Sequence, residues 1–207
     1  MKESLAQIDA YYTRALRQHG PTPKGVDWNG ETGQRLRFRQ LVQLVEPDHG
    51  FSLNDLGCGY GAFLDYLHDR GLSVDYHGYD ISADMLEAAR ARHPEALHAR
   101  FVRAAAPDRI ADYGIASGIF NVRLQTSDTD WQHYIQATLD SLNRSSRRGF
   151  AFNALSTYSD AEKQRPDLYY ADPLAWFDHC KRHYSPHVAL LHDYGLYEFT
   201  LLVRKAL

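Results

Sequence analysis

Three glycines fall within five positions, Gly57, Gly59 and Gly61, between an apolar run from Phe51 to Leu56 and a stretch of helical spacing from Tyr60 to Arg70. Glycine adopts backbone angles closed to other residues and lets the main chain approach a ligand closely, while a helix start presents unpaired N–H groups. A plain strand-to-helix turn does not need three glycines, so the segment reads as a loop built to pass beneath a bound group. Gly57-x-Gly59-x-x-Ala62 also satisfies the dinucleotide fingerprint, which keeps a nicotinamide-dependent oxidoreductase as a competing reading. Asp55 weighs against it: two residues ahead of the first glycine, its charge would oppose a pyrophosphate and suits a cationic ligand. The chain also has no Tyr-x-x-x-Lys pair and too little length for a separate catalytic domain.

Around this loop, short apolar runs alternate with helical segments. Strands are expected at 51–56, 72–80, 97–103, 111–120 and 149–155, and helices at 60–70, 83–92 and 128–143. Such βαβ alternation predicts an α/β fold with a mostly parallel sheet and helices on both faces. Ahead of it, Leu5, Ile8, Tyr12 and Leu16 recur at helical spacing over residues 3–19, which Gly20-Pro21 ends. A Pro- and Gly-rich loop holding Trp28 follows, then a helix over 31–45 that Pro47 closes. Beyond the alternation, Ser156 to Asp172 is polar and aromatic without a period. Pro173 opens a helix to His183, and runs at 188–193 and 196–203 flank Tyr194-Gly195 as a hairpin, so an antiparallel pair is expected to end the sheet.

The segment Asp55-Leu56-Gly57-Cys58-Gly59-Tyr60-Gly61 resembles the first motif of class I S-adenosylmethionine-dependent methyltransferases. His77-Gly78-Tyr79-Asp80-Ile81-Ser82-Ala83-Asp84-Met85-Leu86 is similar to that family's motif at the end of the second strand, with Asp80 lying 80 − 55 = 25 residues after Asp55. Ala116-Ser117-Gly118-Ile119-Phe120-Asn121 is a weaker match at the end of the fourth strand. The likeness covers Phe51 to Val203 and implies a Rossmann-like doubly wound sheet with an antiparallel C-terminal strand. It also implies S-adenosyl-L-methionine as cofactor and methyl transfer by in-line displacement. The whole chain, 1–207, is expected as one methyltransferase domain, with residues 1–50 as N-terminal helices and a lid, and 51–207 as the cofactor core with an insertion at 156–172.

The resemblance implies roles residue by residue. Gly57, Cys58, Gly59 and Gly61 carry the chain under the methionine part, Asp55 organises its ammonium, and Asp80 holds the ribose. Ile81 and Met85 belong to the base side, and Ser117 to the turn after the fourth strand. The family's acid after the third strand is replaced here by Val102-Arg103-Ala104-Ala105-Ala106-Pro107-Asp108, so backbone near Ala104 is the expected contact for the adenine amine. Arg37 is the candidate partner for the cofactor's carboxylate, against a plain exposed helix arginine. Trp28 is either a lid over the site or a pin between the N-terminal helices and the sheet. Weak catalytic candidates on the acceptor side are Asn121, Asn153, Tyr158 and His192, with a structural role as the alternative for each.

Composition limits the partners. Twenty-three basic and 26 acidic side chains give a net charge of −3, so only a local basic patch would attract nucleic acid. Arg144, Arg147 and Arg148 form one such cluster, read here as a solvated turn. Nucleic acid is therefore an unlikely partner and a small-molecule acceptor the expected one, with a nucleic-acid or protein methylase and a non-catalytic cofactor-binding protein as alternatives. His179 and His183 share a helical face beside Cys180 and His187, a spacing zinc can use, but Lys181 and Arg182 sit among them and no metal is expected. Two cysteines, no readable secretory signal and no apolar stretch of membrane-span length lead to the expectation of a cytoplasmic protein without a membrane partner.

Overall fold

The computed structural model describes residues 2–46, 50–95 and 97–205. Its first strand, β1 (Phe51–Leu56), is buried on both faces, as a central parallel strand must be. Toward one side it pairs in parallel with β2 (Val74–Asp80), and β2 with β3 (Ala99–Arg103). Toward the other side it pairs in parallel with β4 (Ala111–Ala116), and β4 with β5 (Ser146–Leu155). The hairpin of β6 (His187–Leu191) and β7 (Glu198–Arg204) completes a seven-stranded sheet of order β3-β2-β1-β4-β5-β7-β6, with β7 antiparallel to both neighbours. The chain works outward from β1 to β3 and then crosses back to β4, so a topological switch lies between β1 and β4. Ligand crevices of open α/β sheets lie at such a point, beyond the carboxyl ends of the strands.

Helices cover both faces. Phe38 and Leu41 of α2 (Glu31–Leu41), Phe63 and Leu67 of α3 (Ala62–Asp69), and Leu86 and Ala89 of α4 (Ala83–Arg92) share one buried cluster. Trp131, Ile135 and Leu139 of α5 (Asp128–Arg144) and Trp176 and Cys180 of α6 (Pro173–His183) form the other, joined by Ile8 of α1 (Lys2–His19). The starts of α4, α5 and α6 are set by capping side chains that satisfy orphan amides. Ser82 accepts from Met85 N–H, Ser127 from Asp130 N–H, and Asp172 from Leu174 and Ala175 N–H ahead of the α6 turn that Pro173 opens.

Several boundaries differ from the sequence expectation. The second helix leaves α geometry at Leu41 and continues as a 3-10 turn, Val42–Leu44; Pro47 lies outside the described residues. β4 stops at Ala116 because Gly118 turns the chain with φ +76°. β5 begins at Ser146, three residues earlier than expected, because Arg147 and Arg148 are not a solvated turn. They lie in the strand, paired with Asp112 and Glu46. The 156–172 segment is anchored by bridges from Val122 to Leu168 and from Ser156 to Ala171. Its Arg165 reaches Asp27 and the Tyr11 hydroxyl, so it spans from β5 to the N-terminal region. On α6, the His179 and His183 rings stack 4.3 Å apart and Cys180 is buried. Among the described residues no helix is long and apolar enough to cross a membrane.

Candidate functional site

A cleft opens at the carboxyl ends of β1, β2 and β4, under α1, and holds about 720 Å³ free of protein atoms, part of it open to solvent. A smaller hollow adjoins it, and the two share Val26, Trp28, Gly57, Gly59 and Ser117. Both are built on the glycine turn. Gly57 has φ +77°, and a Cβ there would stand 2.0 Å from Ile119 Cγ2, so no larger residue fits without moving the loop after β4. Gly57 and Cys58 N–H both donate to the Tyr79 carbonyl, at 2.7 and 3.0 Å, which ties the turn to β2. Gly61, at φ +81°, lines neither hollow; it stands where the first turn of α3 begins, and its carbonyl accepts from the His93 ring at 3.0 Å.

Two carboxylates stand at the ends of adjacent strands. Asp55 is buried at the end of β1, lines the smaller hollow, and accepts a 2.5 Å hydrogen bond from the Tyr76 hydroxyl. Burial pushes its pKa up to about 7; the Tyr76 bond opposes the rise and the charge of Asp80 adds to it. Asp80 accepts from Gly59 N–H through Oδ2 and from Ser82 N–H through Oδ1, both at 2.9 Å. Burial raises it to about 6 against those two amide bonds. Among the described residues, neither hollow is lined by a lysine or arginine. A third polar group waits at the junction: Ser117 Oγ is buried with no hydrogen-bond partner among the described residues, a condition that costs free energy unless a ligand or water answers it.

The remaining walls are apolar. Ile81, Met85 and Ala104 line the cleft from the β2 and β3 side. From above come Leu5, Ile8 and Tyr12 of α1, and from α5 Tyr134, whose phenol burial pushes up to about 12. α1 is held there by its apolar face and by bonds to the cap of α4: Thr13 to Ser82 at 3.1 Å and Arg17 to Asp84 at 3.0 Å. A sterically open glycine cradle, two carboxylates without a protein cation, an unanswered hydroxyl and flat apolar walls together fit a nucleoside that carries positive charge.

Most of the expected cofactor residues meet in this place: Asp55, Gly57, Cys58, Gly59, Asp80, Ile81, Met85, Ala104, Ser117 and Trp28 all line one hollow or both. Others do not. Arg37 is outside both, its guanidinium bound to Glu198 at 2.9 and 2.5 Å and stacked over Trp28 at 4.7 Å. A buried acid from β7 thus takes the position that the cofactor's carboxylate was expected to fill. Ala104 lines the cleft with its N–H engaged, donating to the Asp80 carbonyl at 3.1 Å. Asn121 and Asn153 are buried structural groups: Asn121 Oδ1 accepts from Leu155 N–H, and Asn153 bonds Gly118 and Glu198. Tyr158 and His192 pack against each other on the surface, away from the cleft. Trp28 lines the cleft and packs edge-on against Phe38 at 5.9 Å.

Residues 54–147 match the family model described as a methyltransferase domain. A protein of Mycobacterium tuberculosis (strain ATCC 25618 / H37Rv) named "Putative methyltransferase Rv1506c" is 62% identical over 167 residues, which are 81% of this chain and 99% of that one. This chain belongs to the S-adenosylmethionine-dependent methyltransferase family. Its cofactor is S-adenosyl-L-methionine. The fold is shared with magnesium protoporphyrin IX methyltransferase from Synechocystis PCC 6803, crystallised with S-adenosylhomocysteine: TM-score 0.69 at 14% identity, covering 98% of this chain and 97% of that one. It is shared also with the N-methyltransferase NodS from Bradyrhizobium japonicum WM9, at TM-score 0.66 and 14% identity over 95% and 97% of the two chains.

In this methyltransferase, the lining residues that motif reading missed are Leu5, Ile8, Tyr12, Val26 and Tyr134. For α1 the amphipathic period was visible, but the surface its apolar face meets is a matter of tertiary packing. Tyr134 carries no local signal, since it is one aromatic among several on α5.

Proposed function

We propose that this methyltransferase transfers the methyl group of S-adenosyl-L-methionine to a small-molecule acceptor, with residues 51–207 as the cofactor core and residues 1–50 and 156–172 covering the acceptor side. In this reading Asp55 faces the cofactor's ammonium and the Gly57–Gly59 backbone passes beneath its methionine part. Asp80 accepts from the ribose hydroxyls while its amide bonds hold it in place. Ile81, Met85 and the Ala104 methyl flank the base, Ser117 answers the ligand with its free hydroxyl, and Trp28 roofs the junction. Bound there, the cofactor supplies an electrophilic methyl on a sulfonium. No histidine lines either hollow among the described residues, so the contribution of the chain is alignment, which in well-oriented systems is worth effective molarities of about 10⁵–10⁸ M.

The acceptor class rests on one observation: apart from Asp55, Asp80, Ser117 and Gln34 the walls that surround the junction are apolar, glycine or aromatic, and they carry no lysine or arginine among the described residues. A phosphate-bearing polymer would find no charge to neutralise there, and Arg147 and Arg148 are paired at the opposite, amino-terminal end of β5. A cytoplasmic location belongs to the same reading, supported by two free, buried cysteines.

The test is turnover against a panel of neutral aromatic, sugar and amine acceptors, and separately against RNA, DNA and protein, at about 50 and 200 mM salt. Turnover on a small acceptor that changes little with salt is expected. Activity confined to a nucleic acid and falling steeply with salt would replace the acceptor class. Binding of S-adenosylhomocysteine without turnover on any of them would make the chain a cofactor-binding partner.

A further inference from the structure

We propose that Glu198 is a positioning residue, holding two walls of the cofactor cleft, the Trp28 indole and the Ser117–Gly118 turn, through Arg37 and Asn153. The proposal rests on the site reading above. Glu198 is the first residue of β7, opposite Leu155 of β5, and its side chain is 2% exposed. Its Oε1 accepts from Arg37 Nη2 at 2.5 Å, and its Oε2 accepts both from Arg37 Nε at 2.9 Å and from Asn153 Nδ2 at 2.5 Å. None of these three residues lines either hollow.

Each arm of the network ends on a wall of the site. Through Arg37, the guanidinium lies over the Trp28 ring at 4.7 Å. Through Asn153, Oδ1 accepts from Gly118 N–H at 2.9 Å. The two ends then meet, because a Cβ on Gly118 would stand 2.8 Å from Trp28 Cζ2 and 3.2 Å from Nε1. Gly118 lies between Ser117 and Ile119, which both line the cleft. A movement at Glu198 therefore reaches Trp28 from one side and Ser117 from the other.

Stability alone is a poor account of such an arrangement. Desolvating an ion pair offsets much of its attraction, and well-packed apolar residues of similar volume are often as stable or more so. What charge-assisted bonds from a planar guanidinium and an amide supply is direction. Here the directions fixed are those of an indole face and a backbone amide.

The hydrogen-bond chemistry offers a reversible break. In Glu198→Gln one oxygen becomes an NH₂ that faces a donor, Arg37 Nη2 at the Oε1 position or Arg37 Nε and Asn153 Nδ2 at the Oε2 position, so at least one bond is lost and the charge facing Arg37 is removed. Adding Asn153→Asp restores the charge and the Asn153 arm: the new carboxylate accepts from Gly118 N–H and from an amide NH₂ at the Oε2 position, while the carbonyl at the Oε1 position accepts from Arg37 Nη2 and only the Arg37 Nε bond stays broken.

The experiment measures S-adenosylhomocysteine binding by calorimetry, with Trp28 emission isolated by subtracting the Trp28→Phe protein, in the full chain. Glu198→Gln is expected to weaken binding by about tenfold, the scale of one charge-assisted hydrogen bond, and to shift Trp28 emission. The double variant is expected to return both readouts to within about threefold of the parent. Unchanged binding and emission in Glu198→Gln overturns the proposal. So does a folded double variant that stays as weak as the single, or an equal loss in Val203→Ala, which destabilises the same strand without touching the network. Should neither glutamate variant fold, Arg37→Lys decides: it keeps the charge pair but removes the plane from the indole, and unchanged binding and emission overturns the proposal. Failure of the site reading is distinguishable, since the parent would then not bind S-adenosylhomocysteine or Asp80→Ala would bind it equally well.

Discussion

The Tyr76 hydroxyl donates to Asp55 Oδ2 at 2.5 Å, from one parallel strand to its neighbour, and among the described residues it is the one hydrogen-bond donor to that carboxylate. Among the described residues no lysine or arginine joins Asp55 in the lining of the hollow. In the proposed reading the ligand would bring the positive charge that Asp55 lacks.

The pH dependence follows from the direction of the shift. Asp55 is raised from 3.8 to about 7 and Asp80 to about 6. A group whose pKa is higher folded than unfolded contributes its full stability below the unfolded value and loses it as pH rises through the folded value. The free protein is thus expected to lose thermal stability between about pH 4 and 8, from the unfolded value of 3.8 through the folded values of about 6 and 7, and S-adenosyl-L-methionine to offset more of that loss at pH 8 than at pH 6. Asp55→Asn is expected to raise the midpoint at pH 8 by at least about 2–4 °C, the shift one kcal/mol gives in a chain of this size, while weakening cofactor binding. Melting curves of both proteins across this range are the check. An identical slope in the variant would assign the pH dependence to other groups.

Asp80 orders the turn, with Gly59 and Ser82 amides on its two oxygens, and in the proposed reading also meets the ribose. Asp80→Ala is expected to keep the fold and weaken S-adenosyl-L-methionine at least about tenfold, since a hydrogen bond to a charged group is worth roughly 1.5–3 kcal/mol. Calorimetric titration measures this directly, and unchanged affinity would remove Asp80 from the site.

Gly57 is constrained twice, by φ +77° and by Ile119 Cγ2, which lies only 2.0 Å from where a Cβ would stand. Gly57→Ala is expected to cost roughly 1–2 kcal/mol of backbone strain and about 1–3 kcal/mol of overpacking. Combining it with Ile119→Ala relieves the second cost and leaves the first. Denaturant midpoints of the single and double variants separate the two, and full recovery in the double would mean the backbone angle is not strained.

Residues 20–34 carry Trp28, which lines the cleft and also packs on Phe38 and Arg37. If Trp28 roofs the cofactor, amide exchange across 20–34 is expected to slow when S-adenosylhomocysteine is added, because opening would then cost the ligand contacts as well. Exchange that does not change on binding would leave Trp28 as a pin alone.

Much of the site was legible because its signals are local. Gly57 and Gly59 must be glycine for backbone reasons, Ser82 must cap α4 to satisfy Met85 N–H, and Asp80 ends a strand whose neighbour carries the glycines. Arg37 was placed on the cofactor because a free arginine beside an apolar helix face suits an anion. Its partner, Glu198, lies 161 residues away, beyond any periodicity. Asn121 and Asn153 likewise follow or end strands, but the Asn121 oxygen is taken by Leu155 N–H and both ends of the Asn153 amide by Gly118 and Glu198.

The amino-acid order determined by itself the alternation of strands and helices, the glycine turn and the two acids at strand ends. Each of these depends on backbone angles, capping or side-chain period within a few residues, and local physics is written locally. Tertiary structure alone decided that α1 roofs the cleft, that Tyr134 joins its wall, that Ser117 is left without a partner and that a buried glutamate holds Arg37. Those outcomes depend on which surfaces meet once the sheet has crossed from β3 back to β4. A charged or apolar side chain finds its partner by burial and distance, and distance across the fold has no trace in the spacing along the chain.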